Sequence, residues 1–156
     1  MSKKLVILIL FLFLSSCGYD AVYSKKNTDN YEFSIDSLNF IGDRNINLKI
    51  KEKLRNYTSN KKDKIFTLKI SSTLEKLILA KDTSGDPTSF KSTIIVDVEI
   101  STNNKFKKNL QIVEDFNYDT NTDKFELKSY EREIVNNLVS TITDELIYKL
   151  ANSPWY

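Results

Sequence analysis

The residue with the plainest chemistry is Cys17, the single cysteine of the chain, which closes the stretch Leu14-Ser15-Ser16-Cys17. A branched apolar residue, two small residues and a cysteine form an acceptor for lipid. The thiol is acylated, and cleavage in front of it makes Cys17 the first residue of the mature chain. What precedes it fits export: Lys3 and Lys4 supply a charged start, Leu5 to Leu14 an apolar run, and Ser15 and Ser16 the small side chains a signal peptidase needs. A membrane-spanning helix would need about 20 apolar residues, roughly twice this run. An ordinary secreted chain would be left with one unpaired thiol in an oxidising compartment, a difficulty that lipidation removes. Gly18, not an acidic residue, follows the cysteine, so the usual inner-membrane retention signal is missing and the expected destination is the periplasmic side of an outer membrane.

The remaining chemistry is sparse. The chain has no histidine, which removes the commonest general base, the commonest zinc ligand and every serine or cysteine nucleophile paired with histidine. Paired carboxylates exist at Glu131/Glu133, Glu114/Asp115 and Asp82/Asp86. Two residues apart on a helix, or adjacent on a strand, they do not converge as an acid and a base must. Asp82-Thr83-Ser84-Gly85-Asp86-Pro87 has the composition of a turn, without the ordered ligand spacing of a calcium loop. No enzyme activity, metal or cofactor is expected. Lys105, Lys107 and Lys108 form one local basic cluster at a predicted hairpin tip. Such lysines commonly guard a sheet edge; the sharper reading is contact with a phosphorylated lipid head group.

Cleavage before Cys17 leaves 156 − 16 = 140 residues, enough for one domain with its own core. Removing Lys3 and Lys4 turns 23 basic against 21 acidic residues into 21 against 21. The mature chain is neutral, and nucleic-acid binding has no electrostatic basis.

Alternation places a first strand at Tyr31–Leu38, with Tyr31, Phe33 and Ile35 on one face. Ile46, Ile50, Leu54 and Tyr57 then recur at helical spacing, with Asp43 or Asn45 as the candidate N-cap. Phe66, Leu68 and Ile70 begin a second strand whose alternation slips near Glu75-Lys76, suggesting a bulge or bend. A third strand covers Phe90–Ile100. After Asn103-Asn104 a fourth runs from Lys105 through Phe116 and Tyr118, the tight connection predicting an antiparallel hairpin. From Asp123, which with Glu126 suggests a capping box, the stripe Leu127, Tyr130, Ile134, Leu138, Ile142, Leu146 and Leu150 predicts a long helix, stopped by Asn152-Ser153-Pro154. The expected fold is α+β: a four-stranded, mostly antiparallel sheet with two helices on one face, in the order β-α-β-β-β-α. Residues 1–16 are read as the signal, 17–30 as an acylated tether, 31–150 as the domain and 151–156 as a tail.

Cys17-Gly18-Tyr19 followed by Tyr23, this element order, and the tail from Phe116-Asn117-Tyr118 through Tyr130-Glu131-Arg132-Glu133 into a long helix together resemble the lipopolysaccharide-assembly lipoprotein family, LptE. The family's usual Leu-Tyr pair is Val22-Tyr23 here, and Asn136-Asn137 and Ser140 stand where relatives carry repeated alanines. The resemblance implies a lipoprotein anchored through Cys17 that complexes with the LptD outer-membrane β-barrel, assists its assembly, and helps lipopolysaccharide reach the outer leaflet. The alternative reading is a lipoprotein subunit of an ABC-type envelope lipid transporter, which can present a similar small sheet and two helices on an acyl tether.

Overall fold

Alternation in the sequence becomes sheet wherever one face can be covered. The computed structural model describes residues 31–59, 61–102 and 106–152, with the backbone alone at 106 and 107. Four strands, β1 (Phe33–Gly42), β2 (Lys64–Lys81), β3 (Pro87–Thr102) and β4 (Phe106–Asp119), lie in the order β1-β2-β3-β4. Helix α1 (Arg44–Leu54) connects β1 to β2, and α2 (Lys124–Asn152) follows β4. The expected α+β order and its single sheet are as read. The sheet is mixed: β1 and β2 are parallel, joined by the helical crossover that parallel pairing needs, and the two later pairs are antiparallel.

Even-numbered positions of β2 and β3 face the helices. Phe66, Leu68 and Ile70 on β2 and Ile94, Val96, Val98 and Ile100 on β3 are sealed from solvent, while Lys69 and Glu99 pair across the open face at 3.0 Å. Ile46, Ile50 and Leu54 of α1 and Leu138, Ile142, Leu146 and Leu150 of α2 close the core from above. At the lower end Phe33 stacks on Tyr57 with centroids 4.9 Å apart and meets Phe66 edge-on.

Asp43 is the N-cap of α1: its carboxylate accepts from the N–H groups of Asn45 and Ile46 at 2.8 and 3.0 Å. A short 3-10 turn, Arg55–Tyr57, ends the helix. At α2, Asp123 caps Phe125 and Glu126, but the reciprocal half of the expected box is replaced, since Glu126 accepts from the Asn121 amide instead. The anticipated break near Glu75-Lys76 is also corrected. β2 runs through both residues in unbroken register with β3, and irregularities fall at Ile78/Ala80 and Ala80/Lys81, with another in β1 between Ile35 and Ser37.

Cross-links at matching offsets fix how the helices run. Lys49 donates to Asn136, and Lys53 reaches Ser140 Oγ at 2.7 Å and Asp144 at 2.9 Å. Both positions rise together, so α1 and α2 lie parallel. By the same offset Arg44 comes level with Glu131, so the first two turns of α2 are left without a helical neighbour.

Candidate functional site

Cys17, the signal 1–16 and the tether 17–30 lie outside the described residues, as do Lys105, the Lys107 side chain and the tail beyond Asn152. Lys108 is described: it sits exposed on β4 opposite Ile100, near the β3–β4 connection. The structure therefore does not bring the three lysines together as a described site. Asp82 and Asp86 belong to a self-contained turn in which the Asp82 carboxylate accepts from the N–H groups of Ser84 and Asp86, both at 2.9 Å. Glu131 pairs with Lys76 while Glu133 is exposed, and Asp115 pairs with Lys91 at 3.0 Å.

What the structure assembles instead is a groove of about 750 Å³ where α1 begins, bounded by its first turns, by Leu74 of β2 and by α2 from Phe125 to Asn136. Its apolar lining comes from Ile46, Leu48, Leu74, Phe125 and Val135. Leu48 and Phe125 lie off the buried stripes of their helices and are 54% and 75% exposed. Charge enters from Lys49, Lys128 and Arg132, against Asp43 and Glu131. Both carboxylates are already engaged. Asp43 caps α1, and Glu131 accepts from Lys76 Nζ at 2.6 Å and from the Tyr118 hydroxyl at 2.9 Å. Lys128 and Arg132 meet no carboxylate within 4.0 Å among the described residues.

The Lys76–Glu131 contact anchors the outer part of α2 to the sheet. Lys76 Nζ also lies 3.9 Å from the centroid of Phe90, whose ring stacks on Tyr118 at 5.5 Å, and Tyr130 meets Tyr118 edge-on. Burial alone would pull the Lys76 ammonium down. The Glu131 carboxylate and the Tyr118 hydroxyl outweigh it, so Lys76 holds its proton above its ordinary range. Tyr118 is pushed up by burial, with a smaller opposing contribution from Ser92 and a reinforcing one from Glu131.

Lys108 and Leu74 stand at different levels of the sheet. Lys108 pairs with Ile100, which pairs with Leu68, six residues before Leu74, or roughly 20 Å along the strand direction. The groove was not foreseen from the residues. Its one advance signal was the pair of apolar side chains, Leu48 and Phe125, that the helical stripes leave unused.

No described helix is long and apolar enough to cross a membrane. No family model matches the chain, and no curated protein matches it by sequence. Its fold is shared with solved lipoproteins. The rare lipoprotein B from Shewanella oneidensis superposes with a TM-score of 0.58 at 13% identity, covering 74% of this chain and 93% of that one. A minor lipoprotein from Acinetobacter baumannii gives 0.55 at 11% identity over 76% and 92%. Lipoprotein B from Nitrosomonas europaea gives 0.53 at 12% over 78% and 85%. At these identities the likeness is one of fold: the chain has the four-stranded, two-helix architecture of these lipoproteins.

Proposed function

We propose that the chain is an outer-membrane lipoprotein, acylated at Cys17, that complexes with an LptD-type β-barrel, assists its assembly and helps insert lipopolysaccharide into the outer leaflet. The observation that carries this reading is the pairing of the Leu14-Ser15-Ser16-Cys17 motif with a fold shared with rare lipoprotein B, a name that belongs to the LptE family. The role is non-catalytic and needs no cofactor. A mature surface of 21 basic and 21 acidic residues (23 − 2 against 21) suits packing against a polar barrel wall without net repulsion. Several acyl chains, each contributing about 0.8 kcal/mol per buried CH₂, hold such a domain at the bilayer where one chain binds only marginally. Lys105, Lys107 and Lys108 are the proposed contact with a phosphorylated head group.

Depletion of the chain in its native envelope tests the reading. The expected result is a fall in correctly assembled barrel together with less lipopolysaccharide at the cell surface. Unchanged barrel assembly with defective phospholipid distribution would overturn it in favour of a transporter subunit. Cys17→Ala is expected to release the unprocessed protein from the outer-membrane fraction.

A further inference from the structure

β2 outruns β1. The parallel pairing ends at Gly42 opposite Ser72, while β2 continues to Lys81 on its ladder with β3. From Thr73 to Lys81 one side of β2 is paired with β3, and no described backbone pairs with the other. The direction of the free groups follows from one hydrogen bond. The Ser72 carbonyl accepts from Asp43 N–H at 3.0 Å, so Ser72 turns its backbone groups toward the β1 side. Strand alternation then turns those of Leu74, Lys76 and Ile78 the same way.

Native proteins blunt such edges with charge, proline or bulges. Here Lys76, at the middle of the edge, is drawn onto Phe90 and Glu131. Register irregularities come at Ile78/Ala80 and Ala80/Lys81, beyond the regular stretch Thr73–Ile78. Leu74, Leu77, Ile78 and Leu79 are 40%, 55%, 50% and 49% exposed. From Thr73 to Ile78 the edge is extended and in regular register, with Glu75 and Lys76 its charged side chains.

A row of backbone donors and acceptors is matched by another extended backbone. The chain's own residues 17–30 are poorly placed to supply it. The first strand starts at the other end of the sheet, where Phe33 pairs with Lys64, nine residues before Thr73. Doubling back costs about 30 Å of a reach of about 48 Å and leaves about five residues for the edge. A second copy, paired edge to edge, would bring a second Lys128 and Arg132 to the same seam. Charge selects a partner. Lys128 and Arg132 line the groove beside Leu74, and its two acids are already held by the α1 cap and by Lys76.

We propose that an extended, acidic segment of a partner protein adds as a fifth strand along Thr73–Ile78, in line with β1, presenting carboxylates to Lys128 and Arg132. The proposal goes beyond the barrel complex and stands whether or not that partner is the barrel.

The test uses the processed, full-length protein in mild detergent. The probe is a synthetic peptide of alternating valine and glutamate, and the readouts are binding by fluorescence anisotropy and amide hydrogen exchange. The peptide is expected to slow exchange at Leu74, Lys76 and Ile78 by about tenfold or more. N-methylation of alternate peptide residues is expected to abolish binding, since it removes backbone donors and keeps every side chain. The double variant Lys128→Glu, Arg132→Glu is expected to weaken binding by about tenfold. Equal binding of the N-methylated peptide would overturn the proposal, as would the absence of protection at those amides. Protection that appears without peptide and grows with protein concentration would make a second copy the occupant. Protection conferred by anionic phospholipid vesicles alone would make it lipid; either result overturns the proposal.

Discussion

Gly42 sits where the chain leaves the sheet for α1, at φ +93°, and a Cβ there would lie 2.0 Å from the Ser72 carbonyl oxygen. No side chain fits without moving the end of β1 off β2. The same corner holds a buried polar knot: Ser72 Oγ donates to Asn47 Oδ1 at 2.8 Å, and the Asn47 amide donates to the Ile41 carbonyl at 3.0 Å. Gly42→Ala is expected to lower stability by about 2–4 kcal/mol, from backbone strain and overlap together. Ser72→Ala, which strands Asn47 Oδ1 without its donor, is expected to cost about 1–3 kcal/mol. Urea unfolding midpoints measure both. A second prediction concerns pH. Lys76 and Tyr118 hold their protons more tightly in the folded protein than their ordinary values of 10.5 and 10.0. Their contribution is therefore full below about pH 10 and declines as pH rises through the raised folded values. Unfolding midpoints should fall more steeply above pH 10 in the native chain than in Lys76→Met, and equal slopes would contradict the assignment.

Among the elements, α2 decides the core. Its buried stripe is apolar, whereas its polar links to α1 are partly solvated: Lys53 and Asp144 are 36% and 62% exposed. Leu146→Ala is accordingly expected to cost about 2–5 kcal/mol. Lys53→Met is expected to cost under about 1 kcal/mol. Calorimetry on the two variants checks the ordering. The stripe also shows where sequence reasoning succeeds. Leu138, Ile142, Leu146 and Leu150 were legible because helical spacing reports a buried face directly, and all four are buried. Tyr130, on the same stripe, is 45% exposed. Periodicity cannot see that the neighbouring helix begins only about level with Glu131. The β-strands repeat the lesson. Phe66, Leu68 and Ile70 announced their face by alternation, yet Leu77-Ile78-Leu79 obscured the strand that runs through them. An uncovered edge keeps apolar side chains on both faces, so the pattern that marks a half-buried strand is lost there. The groove arises from a mismatch between 11 residues of α1 and 29 of α2, a property of the packed pair and not of either segment. Lys128 and Arg132 accordingly read in sequence as ordinary solvated charges.

At the scale of the whole molecule, one end is compact and sealed, where both helices cover all four strands around Phe33, Phe66 and Ile100. The other is open, where β2, β3 and the first turns of α2 extend past β1 and α1 with apolar and cationic groups exposed. Acylated at Cys17 as proposed, a domain with such an end would be held at a membrane and present a surface to something else. The measurement that tests this most directly is a mild-detergent co-purification of the tagged, Cys17-processed protein from its native envelope, with the partners identified and weighed by mass. A large outer-membrane β-barrel recovered in one-to-one proportion is the predicted result. Recovery of inner-membrane transporter subunits with no barrel would contradict the account.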